Sequence, residues 1–89
     1  MNLKNLRIGV IGMGYVGLPL AIEFSKKLKV IGFDINQKRI DQLKNKIDVT
    51  KEVSKKEFLK LKKISFSKNI NDLYKCKIFI ITVPTPIDP

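Results

Sequence analysis

Ile8–Gly17 reads IGVIGMGYVG, and no other stretch narrows the fold so far. A short apolar run, Ile8 to Ile11, leads into Gly12-Met13-Gly14-Tyr15-Val16-Gly17, and a helix-like pattern follows. Buried strand, tight glycine turn and helix start, in that order, are what a dinucleotide-binding βαβ unit requires. Gly12 lets the chain reverse. Gly14 has no side chain, so a pyrophosphate can approach the backbone. Gly17 lets the helix lie close to the strand. The first N–H groups of a helix have no intrahelical partner, and the helix dipole adds partial positive charge there, so a diphosphate suits the site. The glycine spacing alone is a weak signal; its position between strand and helix carries the weight. The whole segment, Gly12, Met13, Gly14, Tyr15, Val16 and Gly17, is therefore expected to contact a dinucleotide.

The rest of the chain reads as further αβ units. Leu6 to Ile11 is strand one, apolar enough to be covered on both faces. A helix is expected from about Tyr15 to Lys27, with Val16, Leu20, Phe24 and Leu28 as its buried stripe and Glu23, Lys26 and Lys27 in water. Lys26 and Lys27 fall in its last turn, where cations suit the dipole. Pro19 fits only the first turn, so this helix should start late or bend. Lys29 to Asp34 is strand two. Helix two spans Gln37 to about Asn45, with Ile40, Leu43 and Ile47 facing inward. Ser54 and Glu57 match a capping box ahead of a short helix from Lys55 to about Leu61 that packs through Phe58 and Leu61. Ile64 to Ser67 is strand three. Asn69 to Tyr74 reads as a turn or a single helical turn. Lys77 to Val83, with Ile78-Phe79-Ile80-Ile81, is strand four.

Asp34 closes strand two about 20 residues beyond the glycine turn, where a dinucleotide fold places the acid that accepts hydrogen bonds from the adenosine ribose. A carboxylate binds two neighbouring hydroxyls and repels a 2′-phosphate, which favours NAD over NADP. The competing reading makes Asp34 a helix cap, but Asn36 can do that work. Lys38 and Arg39 pull the other way, since a cation can receive a 2′-phosphate. Arg39 can also stack on the adenine. A prolyl loop, Val83-Pro84-Thr85-Pro86, leaves the carboxyl end of strand four. In a doubly wound sheet of order 3-2-1-4, that loop faces the glycine turn across the ligand. Val83, Pro84 and Thr85 then lie on the nicotinamide side; the plain alternative is an ordinary proline-rich turn.

Composition limits the other possibilities. The 89 residues make one small domain or part of a larger one. The chain stops in a loop after a strand that should be central, so residues 1–89 are expected to be the N-terminal portion of a Rossmann-type domain from a longer protein. An apolar edge strand there should promote self-association. The net charge of +10 is almost all lysine, spread over helix surfaces rather than interleaved with aromatics. That reads as a solvated surface that also attracts diphosphates, not as a nucleic-acid interface. With no histidine and one cysteine, Cys/His zinc sites and disulfides within the chain are excluded. Cys76, at a strand entrance with no base nearby, reads as a packed side chain and not a nucleophile. No apolar run approaches the roughly 20 residues needed to span a bilayer. Met1 to Asn5 lack the apolar core of a signal peptide, so the cytoplasm is the expected location.

Three segments together, IGVIGMGYVGLPLAIEF, GFDINQKRI and ITVPTPID, closely resemble the N-terminal domain of the UDP-glucose/GDP-mannose dehydrogenases, the nucleotide-sugar 6-dehydrogenases. The resemblance runs from about Leu6 to Pro89. Ile47–Val53 and Pro86-Ile87-Asp88 are most similar to the UDP-N-acetylhexosamine branch, of the Vi-polysaccharide type. UDP-glucose dehydrogenases typically carry Glu-Pro-Gly-Leu where Thr50–Val53 stands. The resemblance implies oxidation of a sugar C6 alcohol to a carboxylate with two NAD molecules, in surface-polysaccharide precursor synthesis. It also implies a cysteine nucleophile after a Gly-Gly-Ser stretch, UDP-sugar binding through regions outside this chain, and a homo-oligomer. Cys76 does not match that nucleophile, so no catalytic residue is expected here. Gly12–Gly17, Asp34, Arg39 and the loop through Pro84 and Thr85 match the cofactor site, with the acid and arginine on the adenosine side. The alternatives are a UDP-glucose 6-dehydrogenase and a non-catalytic nucleotide-binding regulatory module.

Overall fold

A computed structural model describes residues 6–47 and 54–82. Four parallel strands form one sheet: β1 (Arg7–Ile11), β2 (Lys29–Phe33), β3 (Ile64–Ser67) and β4 (Ile78–Ile81). Their order is β3-β2-β1-β4, as the doubly wound reading requires. Among the described residues β4 is an edge. The helices are α1 (Gly17–Ser25), α2 (Gln37–Lys44) and α3 (Lys55–Lys60), and a 3₁₀ helix spans Ile70–Lys75.

Register explains the core. Phe66, Gly32, Val10 and Ile80 stand in one row across the sheet, and Ile64, Val30, Ile8 and Ile78 in another. Apart from the half-open Ile78, these rows face Leu18, Ala21 and Ile22 of α1, Ile40 and Leu43 of α2, and Phe58 of α3 in the main core. The opposite face holds Ile31, Phe33 and Ile11, covered by Leu73 of the 3₁₀ helix and by Cys76. At its β4 side, Phe79 and Ile81 remain 49% and 67% exposed. The apolar runs of β1 and β2 thus do have cover on both faces.

Helix α1 departs from expectation in its limits and its face. It begins at Gly17, because Tyr15 and Val16 belong to the turn. Pro19 is its third residue and sits where no intrahelical N–H is needed. The helix ends at Ser25, whose hydroxyl donates to the Ile22 carbonyl at 2.7 Å, so Lys26 and Lys27 lie beyond its last turn. Its buried face is Gly17, Leu18, Ala21, Ile22 and Ser25. Val16 is 65% exposed, whereas Leu20, Phe24 and Leu28 are only half-buried. A spacing of four fits both rows; the demand that Gly17 meet the strand end selects the second.

Ile47 is a second correction. The chain leaves α2 through Lys46, at φ 64°. Lys46 N–H donates to the Leu43 carbonyl at 3.0 Å and Ile47 N–H to the Gln42 carbonyl at 2.8 Å. That pair of bonds is a Schellman ending with lysine in the left-handed position. It turns Ile47 out of the helical period, and its side chain is 51% exposed. The two caps read from the sequence are present: Asn36 Oδ1 accepts from Arg39 N–H at 3.1 Å, and Ser54 Oγ accepts from Glu57 N–H at 3.2 Å.

Candidate cofactor site

The glycine turn sits at the carboxyl end of the sheet, where β1 hands over to α1. Gly12 has φ 102°, a conformation that L side chains rarely adopt. Its N–H donates to the Phe33 carbonyl at 2.8 Å, which ties the turn to the end of β2. A Cβ on Gly12 would run into the Thr82 carbonyl, and a Cβ on Gly17 into the Gly12 carbonyl and the Thr82 hydroxyl. Gly14 is the opposite case: a Cβ there would meet nothing within 4 Å. Two glycines therefore close the turn, and the third leaves open space in front of it.

The start of α1 completes a surface for an anion. Its N-cap is Val16, no side chain caps it, and no acid lies in its first turn. Tyr15 and Val16 are 68% and 65% exposed at the mouth. Leu18 N–H donates to the Gly14 carbonyl at 3.2 Å and Pro19 has no N–H, so the N–H groups just ahead of them and the dipole end favour a bound phosphate here.

Met13 lies in the site by its backbone only. Its side chain is fully buried and lies over β2, at the place where Gly32 has no Cβ; a Cβ there would come within 2.6 Å of Met13 Sδ. Its N–H donates to Asp34 Oδ2 at 2.9 Å. Asp34 Oδ1 accepts from Asn36 N–H, also at 2.9 Å. Two backbone donors thus fix the carboxylate in the half-buried position at the end of β2. Asn36, not Asp34, caps α2, which leaves Asp34 for a ligand.

Arg39 turns inward. It is 9% exposed, and its Nε donates to the Met13 carbonyl at 2.6 Å. Thr82, which the sequence reading passed over in favour of Thr85, also holds the turn. Its Oγ1 lies 2.9 Å from the Gly12 carbonyl and 3.1 Å from that of Ile11, and its N–H donates to Ile11 at 2.8 Å. The signal was available: in a 3-2-1-4 sheet, the residue ending strand four stands beside the end of strand one. Val83, Pro84 and Thr85 lie outside the described residues. Cys76 is buried beneath Gly9, with its ionisation pushed up by burial. No cluster of His, Cys, Asp and Glu among the described residues could hold a metal, and no helix there is long and apolar enough to cross a membrane.

Comparison with known proteins agrees with this geometry. Residues 6–89 match the model of the UDP-glucose/GDP-mannose dehydrogenase family, NAD binding domain. The chain is 56% identical over 86 residues to a UDP-N-acetyl-D-glucosamine 6-dehydrogenase of Pseudomonas aeruginosa, covering 97% of this chain and 20% of that one. It is 46% identical to the enzyme of that name from Salmonella typhi, covering 98% and 20%. The solved structure of a UDP-D-ManNAc dehydrogenase from Pyrococcus horikoshii superposes with a TM-score of 0.78 at 33% identity, over 93% of this chain and 21% of that one. The chain thus spans about a fifth of the length of these relatives.

Proposed function

The chain belongs to the UDP-glucose/GDP-mannose dehydrogenase family, as its NAD-binding domain, and on that premise we propose that it serves a nucleotide-sugar 6-dehydrogenase acting on a UDP-N-acetylhexosamine. The full-length protein would oxidise the C6 alcohol to a uronic acid for surface polysaccharide synthesis, in the cytoplasm and as a homo-oligomer. The names of its relatives in Pseudomonas and Salmonella support the N-acetylglucosamine form of the substrate. NAD, when bound, supplies the hydride acceptor; the sugar and the nucleophile would be held by segments beyond this domain.

In this reading each part of the site has one task. The open face at Gly14 and the start of α1, with Tyr15, Val16 and Gly17, take the pyrophosphate. Asp34 takes the adenosine ribose hydroxyls. Met13 contributes its backbone to the turn, Arg39 serves the adenosine side, and Val83, Pro84 and Thr85 serve the nicotinamide side. The observation that carries the reading is Asp34, pinned at the end of β2 and bonded to the glycine turn by its Oδ2. A carboxylate so placed binds a free 2′,3′-diol and repels a 2′-phosphate.

The test is turnover by the full-length protein. NADH formation should be fastest with UDP-N-acetylglucosamine or its manno epimer, slower with UDP-glucose, and should consume two NAD per sugar. Faster turnover of UDP-glucose would assign the other branch. No turnover of any nucleotide sugar, with NAD still bound, would favour a regulatory module.

A further inference from the structure

We propose that a hollow at the amino end of the sheet, lined by Arg7, Lys29, Lys62, Lys63 and Ser65, binds a small anion carrying two or more phosphates. The glycine turn lies at the opposite end of the strands. The proposal does not depend on which substrate the full-length protein oxidises.

Every strand of the sheet is entered at a cation. Arg7 opens β1 and Lys29 opens β2, and the two are register partners. Lys63 immediately precedes β3, and its carbonyl accepts from Val30 N–H at 2.9 Å. Lys77 immediately precedes β4, and its N–H donates to the Arg7 carbonyl at 2.9 Å. Four neighbouring strands, spaced by about 4.8 Å, therefore carry Lys63, Lys29, Arg7 and Lys77 side by side. None of the four has an acidic partner among the described residues. Like charges on neighbouring strands repel, so this row works against the stability of the sheet. Lysines near a helix end answer the dipole, which accounts for Lys26 and Lys60. Cations that open strands have no such reason, because sheets carry only small net dipoles.

Three of these cations, Arg7, Lys29 and Lys63, line a hollow of ≈ 270 Å³ together with Lys62. Ile31 and Ser65, register partners on β2 and β3, line it too, and no acid does among the described residues. The Lys63 amine lies 3.5 Å from the Lys27 carbonyl, a long bond that engages one of its three donors. A second hollow of ≈ 290 Å³ shares Lys62 and Lys63 and adds Lys26 and Lys60. A guanidinium fork, amines and a hydroxyl are donors suited to phosphate oxygens. One phosphate monoester carries about −1.5 to −2 at pH 7, so two linked phosphates balance four cations better than one. The hollow lies below the roughly 300–1,000 Å³ of drug-sized pockets, which suits a small anion. No aromatic side chain lines either hollow, so stacked bases have no platform there.

The experiment titrates inorganic pyrophosphate into the full-length protein, saturated with NAD and UDP so that other diphosphate sites are filled. Salt is kept at about 0.15 M, where diffuse attraction is screened beyond about 8 Å. The parent should bind pyrophosphate saturably. The double variant Arg7→Gln, Lys29→Gln should bind it about tenfold or more weakly. A control that removes two lysines away from the hollow, Lys44→Gln with Lys56→Gln, should change its affinity less than about twofold. NAD affinity, measured separately, should be unaltered in every variant, which keeps a failed cofactor site distinguishable. No saturable binding by the parent, equal losses in the two double variants, or full binding without Arg7 and Lys29 would each overturn the proposal. Binding to phosphatidylserine vesicles or a DNA duplex but not to pyrophosphate would also overturn it. Lys29→Gln alone serves as a milder variant: its melting temperature should rise less with pyrophosphate than that of the parent. An equal rise overturns the proposal as well.

Discussion

The Thr82 hydroxyl lies 2.9 Å from the Gly12 carbonyl oxygen, 70 residues away in sequence. Asp34 takes the N–H of the same peptide unit from the other side, at 2.9 Å. The ends of β4 and β2 therefore grip one peptide of the glycine turn between them. Thr82→Val, which keeps the shape and removes the donor, should lower stability by about 1 kcal/mol, and Thr82→Ser should recover most of it. Urea denaturation of the three proteins checks this. Equal stability of Thr82→Val and the parent would mean that the hydroxyl contributes nothing to the turn.

The three glycines of the turn should separate into two classes. Gly17→Ala places a methyl group against backbone that cannot move aside, and is expected to cost about 3 kcal/mol or more. Gly14→Ala meets open space, so its melting temperature should stay near that of the parent. Its methyl group instead stands where the pyrophosphate must approach, so NAD affinity should fall. Thermal melts paired with NAD titration give both readings. A stable Gly17→Ala, or unchanged NAD binding by Gly14→Ala, would contradict the closed-and-open division of the turn.

Lys46 adopts the left-handed conformation at the end of α2. A non-glycine residue there costs about 1–2 kcal/mol in backbone sterics. Lys46→Gly should therefore raise stability, offset in part by the greater freedom of glycine in the unfolded chain. The net gain expected in urea denaturation is about 0.5–1 kcal/mol. A loss would mean that the lysine side chain contributes contacts worth more than the strain.

Burial pushes the Cys76 thiol above its ordinary pKa of 9.0, against a smaller opposing effect of the Arg7 charge. The folded state therefore holds the proton more tightly than the unfolded state. This contribution to stability is complete below the unfolded pKa and is lost as pH rises through the folded one. Denaturation midpoints should fall as pH climbs above about 9, and a Cys76→Ala variant should lack that part of the slope. Alkylation of the native thiol at pH 8 should be far slower than in urea. Rapid native alkylation would place Cys76 at the surface.

Much of this arrangement was legible in the residues. The strand order, the four strands and the position of Asp34 follow from apolar runs, glycine placement and the spacing of about 20 residues that a βαβ unit imposes. The caps at Asn36 and Ser54 are local chemistry, and local chemistry is readable. What was not readable depends on contacts made at long range. The inward face of α1 could not be chosen between two rows of equal spacing without knowing that Gly17 meets Gly12. Ile47 continued the α2 pattern on paper, but the left-handed turn at Lys46 ended it. Met13 looked like one more ligand-facing residue of the glycine segment. Its side chain is instead core, in a space left by Gly32. Arg39 reads as a cofactor-site cation, and nothing in its sequence neighbourhood predicts the additional bond to a carbonyl 26 residues earlier.

NAD selectivity is what Asp34 and the glycine turn should provide together. Asp34→Ala would also release Met13, so a comparison of ligands on the unaltered chain is more direct. Calorimetric titration with NAD and then with NADP should show NAD binding more tightly by about tenfold or more, since a 2′-phosphate removes a hydroxyl donor and sets its charge against the carboxylate. Equal affinities, or tighter binding of NADP, would mean that Asp34 does not select the cofactor.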